Sequence, residues 1–498
     1  MAEYIGAIDI GTSGVRFVVF DHDARVVASA YQEIPLSYPE PGWVEQDPER
    51  LVEMTLAVIR AALAQGRIQP ADLAAVGLTN QRETTIVWDR STGKPVYPAI
   101  VWQDRRTASR CQELQATETA RMIHTRTGLS IDPYFSATKL EWLLENVPGL
   151  AARAARGEIL FGTVDTWLLW HLTGEHVTEP TNASRTLLYD IHRGEFDRDL
   201  LSLFDLPVDC LPTVQPSLSV FGHTRPDVFG ARIPVAGVLG DQQAALFGQT
   251  CFTTGEAKAT WGTGAFLLMN TGQRPIASEH GLLTTIAYAS PDETPFYALE
   301  GSIFVAGAVI QWLRDGLGLI EDAAQSNALA QAVSSTDNVY FVPALTGLGA
   351  PHWDPYARGT ILGITRGTRR EHIVRAALEG IAYQTYDVVR ALEHDTGKRL
   401  GELRIDGGAA RNDFLCQFQS DLLGIPLVRP SILETTALGA AFAAGISIRF
   451  WENLAAVRSL YRVEQRYTPL VKEAKREQLL ADWMRAVERA KDWERETQ

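Results

Sequence analysis

Tyr4-Ile5-Gly6-Ala7-Ile8-Asp9-Ile10-Gly11-Thr12-Ser13-Gly14 runs directly into Val15-Arg16-Phe17-Val18-Val19-Phe20. In the second half of the chain, Ala257-Lys258-Ala259-Thr260-Trp261-Gly262-Thr263-Gly264 runs into Ala265-Phe266-Leu267-Leu268-Met269 in the same way. Each reads as an extended segment, a Gly/Thr/Ser turn and a second extended segment. A β-hairpin of this kind presents backbone N–H groups and hydroxyls at its tip, which suits a phosphate chain. One such hairpin is an ordinary turn. Two, half a chain apart, predict paired domains that grip a nucleotide between them.

The chain has 498 residues, 46% hydrophobic and 21% charged, with a formal net charge of −14. That length exceeds what one hydrophobic core organises, so two large domains are expected, meeting between residues 245 and 255. We assign residues 1–248 to an N-terminal domain and 249–498 to a C-terminal one. The acidic balance argues against nucleic acid as a partner. Four scattered cysteines, Cys111, Cys210, Cys251 and Cys416, contain no Cys-x-x-Cys pair and read as structural thiols in a reducing compartment. No signal peptide is evident, and the longest uncharged run, Thr435 to Ile448, is too short to span a bilayer. A cytoplasmic protein without membrane insertion is expected.

Around the first hairpin, residues 24–31 read as a third antiparallel strand. Asp47-Pro48-Glu49 opens a helix that Gly66 ends, and Ala74 to Leu78 and Thr84 to Trp88 read as strands. The second half repeats this grammar. Thr368 and Glu371 form a capping box before a long amphipathic helix, Gly401 to Ile405 is a strand, and Lys472 to Glu494 is a charged surface helix. Strands interleaved with helices indicate an α/β class.

Three turns carry candidate chemistry. Asp9 precedes the first turn, where it either caps that turn or faces Mg²⁺ through water, while Thr12, Ser13 and Gly14 donate to phosphate with Arg16 nearby. Gly240-Asp241-Gln242-Gln243 follows an apolar strand. Asp241 reads equally as a helix N-cap or as a base that accepts the proton of a hydroxyl being phosphorylated. Asp406-Gly407-Gly408-Ala409-Ala410-Arg411-Asn412 is glycine-rich, and Asn412 suits either a base or ribose contact or a plain strand–helix turn. A polyol site needs several hydrogen-bonding groups and aromatic walls; Arg82, Glu83 and Tyr134 offer the first, Trp102 and Phe266 the second.

Ordered segments then carry a resemblance. They are Asn80-Gln81-Arg82-Glu83-Thr84-Thr85, Trp102-Gln103-Asp104-Arg105-Arg106, Ser136-Ala137-Thr138-Lys139-Leu140, Thr181-Asn182-Ala183-Ser184-Arg185-Thr186, Gly240-Asp241-Gln242-Gln243-Ala244-Ala245, Gly262-Thr263-Gly264 and Gly347-Leu348-Gly349-Ala350-Pro351-His352-Trp353-Asp354-Pro355. From Asp9 to about Tyr467 the chain resembles the FGGY carbohydrate kinases, and among them the branch that phosphorylates glycerol. The resemblance implies two actin-like (ribonuclease H-like) ATPase domains with an interdomain cleft, ATP and Mg²⁺ as cofactors, and a homo-oligomer, dimer or tetramer. It implies glycerol held by Arg82, Glu83, Trp102, Tyr134, Asp241, Gln242 and Phe266, with Asp241 as catalytic base. ATP would meet Thr12, Ser13, Gly14, Arg16, Thr263, Gly307, Gln311, Gly408 and Asn412.

Two departures stand out. Ile10 and Gly14 occupy positions where that branch has Gln and Ser, a form closer to other sugar kinases of the family. The Gly-Lys-Gly-Gly-Thr-Arg loop associated with fructose bisphosphate inhibition is replaced by Asp227-Val228-Phe229-Gly230-Ala231-Arg232. The rival expectations are a kinase for another polyol or a ketopentose such as xylulose, and a non-enzymatic ATP-binding sensor.

Overall fold

The structure is a computed structural model describing residues 3–494. Both Gly-rich segments are antiparallel hairpins: Tyr4–Ile10 pairs with Gly14–Phe20, and Ala257–Trp261 pairs with Ala265–Gly272. In each half the hairpin's first strand also pairs parallel with a later strand, Leu73–Asn80 in the first and Leu403–Asp406 in the second. A six-stranded sheet results in the first half, in the order Val220–His223, Pro234–Gly240, Leu73–Asn80, Tyr4–Ile10, Gly14–Phe20, Val26–Glu33. The second half holds a seven-stranded sheet, ordered Leu283–Tyr288, Phe296–Ile303, Ala265–Gly272, Ala257–Trp261, Leu403–Asp406, Leu427–Pro430, Val463–Tyr467. The shared order around each hairpin is the duplicated arrangement that the paired hairpins predict, and the class is α/β.

Local signals act as expected at the first helix, Pro48–Gly66. Asp47 accepts from the backbone N–H groups of Glu49 and Arg50, and Pro48 sits where no N–H is needed. Its end differs: Gly66 is the last helical residue, and Arg67 takes the left-handed conformation (φ 55°) while its N–H satisfies Leu63 and Ala64. The Thr368/Glu371 capping box does not form. Thr368 Oγ instead accepts from Thr365 N, and the helix Arg370–Thr396 opens with Arg369 N donating to His372 Nδ1 at 3.0 Å. The C-terminal helix Glu473–Ala490 is exposed on one face only; Trp483, Ala486, Val487 and Ala490 are buried, and Trp483 stacks on Tyr383 at 5.0 Å.

The apolar run from Thr435 turns out to join the two halves. Thr435–Ser447 is a helix that packs against the N-terminal sheet and against the helix Asp241–Gly248. At two positions of this seam only glycine fits. A Cβ at Gly439 would lie 1.8 Å from the Ala244 carbonyl oxygen, and one at Gly248 2.0 Å from that of Thr435. The absence of side chains lets the two backbones touch, which fixes Asp241, at the head of its helix, relative to both halves.

Candidate functional site

A cleft of about 570 Å³ opens between the two hairpins. Its walls carry Asp9, Thr12, Ser13, Gly14 and Arg16 from the first hairpin and Thr263, Phe266 and Gln311 from the second half. Arg82, Glu83, Trp102, Tyr134, Asp241 and Gln242 complete the lining. Every acceptor-contact residue expected from sequence therefore faces one cavity. Gly307, Gly408 and Asn412 lie outside that lining. Gly307 donates its N–H to the Gly262 carbonyl at 2.9 Å and so braces the second hairpin on the helix Gly307–Asp315. Asn412 is the N-cap of Asp413–Leu423: its oxygen accepts from Leu415 N, and its Nδ2 donates to Ser326 Oγ. These two contacts are those of a strand–helix turn.

The hairpin tip and the aromatic wall are coupled, because Trp102 Nε1 donates to Thr12 Oγ1 at 2.7 Å and Gln46 Nε2 to the Thr12 carbonyl. Trp102 stands edge-on to Tyr134 (5.4 Å) and Phe266 (6.4 Å), so the three rings form one apolar wall of the cleft. The Gly14 departure has a local cause. A Cβ there would meet the Tyr31 ring at 2.3 Å, and Arg16 lies over that ring, 5.4 Å from its centroid.

Asp241 is the first residue of its helix, with Gly240 rather than Asp241 at the N-cap. Its carboxylate is free of capping duty apart from accepting the N–H of Gln242 at 2.7 Å, and Arg82 Nε lies 3.2 Å away. Burial raises its pKa against the opposing charges of Arg82 and Lys258. Burial likewise pushes Asp9 up to about 7, helped by repulsion from Asp241.

Among the described residues no cluster of three or more His, Cys, Asp or Glu side chains is built to hold a metal. The chemistry still fits Mg²⁺, which keeps several waters and takes the rest of its shell from one or two carboxylates and substrate phosphates. Asp9 at the cleft wall is one carboxylate that could take this part, and a cation there would offset its repulsion with Asp241.

Four residues of the site were not among the expected ones. Glu300 and Arg185 are fully buried and pair with Arg82 and Glu83. Gln243 accepts from Arg82 Nη1 at 3.1 Å. Lys258, brought down to about 8 by burial, donates to Gln242 Oε1 and Thr260 Oγ1. Their signal in sequence was faint but present: Glu300 and Lys258 are lone charges inside apolar strands, and Arg185 lies within a segment quoted for the resemblance. Glu83 itself sits at φ 61°, a strained conformation for a non-glycine residue, held by Ser136 Oγ donating to its carbonyl.

Models for the FGGY family of carbohydrate kinases match this chain twice, the N-terminal domain over residues 4–248 and the C-terminal domain over residues 257–448. The chain belongs to the FGGY family. FGGY relatives similar to it include the glycerol kinase of Burkholderia ambifaria, 53% identical over 498 residues that cover 100% of this chain and 99% of that protein. The glycerol kinase of Haloferax volcanii is 54% identical, with 99% of each covered. Among solved structures, Plasmodium falciparum glycerol kinase with ADP superposes with a TM-score of 0.91 at 38% identity, covering 98% of each chain. The xylulose kinase of Lactobacillus acidophilus, at 23% identity and TM-score 0.88 over 97% of each chain, shares the fold. With the FGGY family shown, the two-domain α/β architecture is that of an FGGY kinase. No described helix is long and apolar enough to cross a membrane.

Proposed function

We propose that this FGGY kinase transfers the γ-phosphoryl group of ATP to a terminal hydroxyl of glycerol, giving glycerol 3-phosphate and ADP. The observation that carries the reading is the convergence of Arg82, Glu83, Trp102, Tyr134, Asp241, Gln242 and Phe266 on the cleft that also holds the first hairpin's tip. Full-length relatives named glycerol kinase support the choice of acceptor.

The chemistry follows from placement. Glycerol's carbon chain lies against Trp102 and Phe266, and its hydroxyls bond Arg82, Glu83 and Tyr134. Asp241 accepts the proton of the reacting hydroxyl as its oxygen forms a bond to the γ-phosphorus. The bond between that phosphorus and the β,γ-bridging oxygen breaks, and ADP leaves with that electron pair. Thr12, Ser13 and Gly14 on one side and Thr263 on the other hold the phosphates in line, with Arg16 offsetting charge. Asp9 would hold Mg²⁺ through water, and the ion would supply positive charge against the β- and γ-phosphates.

The test is ADP release across glycerol, erythritol, xylulose and ribulose at equal concentration. Glycerol should give the highest kcat/KM. A decisive preference for xylulose would overturn the assignment, and no turnover with any acceptor would favour an ATP-binding sensor.

A further inference from the structure

Arg82 and Glu83 are expected to touch the acceptor, yet most of their polar atoms point away from the cleft. Arg82 Nη1 donates to Glu300 Oε2 at 2.6 Å and to Gln243, and Nη2 donates to Glu300 Oε1 at 2.8 Å. A guanidinium has five N–H groups. This forked grip uses three and leaves Nε, which faces Asp241 Oδ1 at 3.2 Å, and one Nη2 hydrogen outside it. Glu83 Oε1 accepts from Arg185 Nε at 2.6 Å, which leaves Oε2 for a hydroxyl. Arg185 closes the ring, with Nη2 3.3 Å from Glu300 Oε1 and the guanidinium 5.3 Å from the Tyr134 ring centroid. The four charges balance and all four side chains are at most 2% exposed. Three of them come from the N-terminal half, whereas Glu300 stands on the strand Phe296–Ile303 of the C-terminal sheet, in register with Leu268 and Leu283.

We infer that Glu300 is a positioning residue for the acceptor, acting through Arg82, so that the C-terminal half sets the orientation of a guanidinium in the acceptor pocket. Arg185 plays the matching part for Glu83. A bidentate carboxylate–guanidinium pair fixes the plane of the guanidinium as well as its charge. Held by Glu300, Arg82 directs Nε toward Asp241 and the cleft. Released from it, the fork is free to turn onto Asp241 and occupy the space of the acceptor's hydroxyls. The inference rests on the proposal that Arg82 contacts the acceptor.

Glu300→Gln keeps the shape and one acceptor oxygen while removing the charge and half of the fork. We expect the acceptor KM to rise roughly tenfold or more, the scale of one charge-assisted hydrogen bond. The KM for ATP should stay within about twofold, because no phosphate-facing group is touched. In an Arg82→Lys background, which has no fork to orient, the same substitution should change the acceptor KM by less than about twofold. Should Glu300→Gln not fold, Glu300→Asp carries the same readout, since it keeps the charge but shortens the reach. Equal rises in both KM values, an unchanged acceptor KM, or a full independent effect in the Arg82→Lys background would each overturn the inference. The KM is read with whichever acceptor the wild-type enzyme uses best. Failure of glycerol as that acceptor therefore refutes the functional reading and leaves the positioning role tested.

Discussion

The seam between the helices Asp241–Gly248 and Thr435–Ser447 offers the sharpest perturbation, because one methyl group there reaches the reacting carboxylate without touching it. A Cβ at Gly439 would lie 1.8 Å from the Ala244 oxygen, 2.6 Å from its carbonyl carbon and 2.9 Å from Gly248 N. Ordinary C···O contacts settle at about 3.3 Å, so Gly439→Ala forces the helices apart by roughly 1.5 Å. Both neighbours are backbone, so no side chain can swing aside. Overpacking of this kind costs about 1–3 kcal/mol. The larger effect should be catalytic. Asp241 heads the displaced helix, and misplacing a reacting group by about 1 Å costs on the order of 100-fold in rate. Steady-state kcat with glycerol and the denaturant midpoint are measured for Gly439→Ala beside Gly401→Ala, whose added methyl meets nothing within 4 Å. We expect a large fall in kcat and a lower midpoint for the first, and neither for the second. A kcat within twofold of wild type for Gly439→Ala would refute the claim that this seam positions Asp241.

Burial lowers His171 and His176 from 6.5 to about 4, His171 lying against Trp167 at 4.1 Å with no partner for its Nε2. The unfolded chain therefore binds more protons between these values, and the stability from each neutral ring, full above pH 6.5, is lost as pH falls toward 4. The loss reaches about 3 kcal/mol per ring. His171→Leu should lose less stability than wild type between pH 6.5 and 4 in thermal unfolding; parallel curves would contradict this. At the first hairpin, Gly14→Ser places a Cβ on the half-exposed Tyr31 ring. Tyr31 can move aside, so stability should change by less than about 1 kcal/mol while the KM for ATP rises, and Tyr31→Ala should restore it. An unchanged KM for ATP would show that the tip tolerates either residue.

The fold was legible where the chemistry is local. The two Gly/Thr/Ser turns marked the hairpins, and Asp47-Pro48 marked a helix start that its cap confirms. What local sequence could not convey was pairing across the chain. Glu300 and Arg82 meet only because the second sheet's register carries Glu300 to the N-terminal half. The helix Thr435–Ser447 shows little amphipathic pattern because it is buried almost all round, so its run of Ala and Gly gave no hint that it joins the two halves. Asn412, singled out for a ligand, also caps the helix Asp413–Leu423, a role that its place after a glycine-rich turn did not reveal. The capping signal of Thr368 lost to a turn three residues earlier, where its hydroxyl serves Thr365.

The central claim, that Asp241 takes the proton of a phosphorylated hydroxyl in this cleft, is tested most directly by Asp241→Asn, with glycerol turnover and ATP binding measured on the same preparation. The substitution keeps the shape beside Arg82 and removes the proton acceptor. A fall in kcat on the order of 100- to 10,000-fold is expected, with the Kd for ATP little changed. A kcat within tenfold of wild type would contradict it.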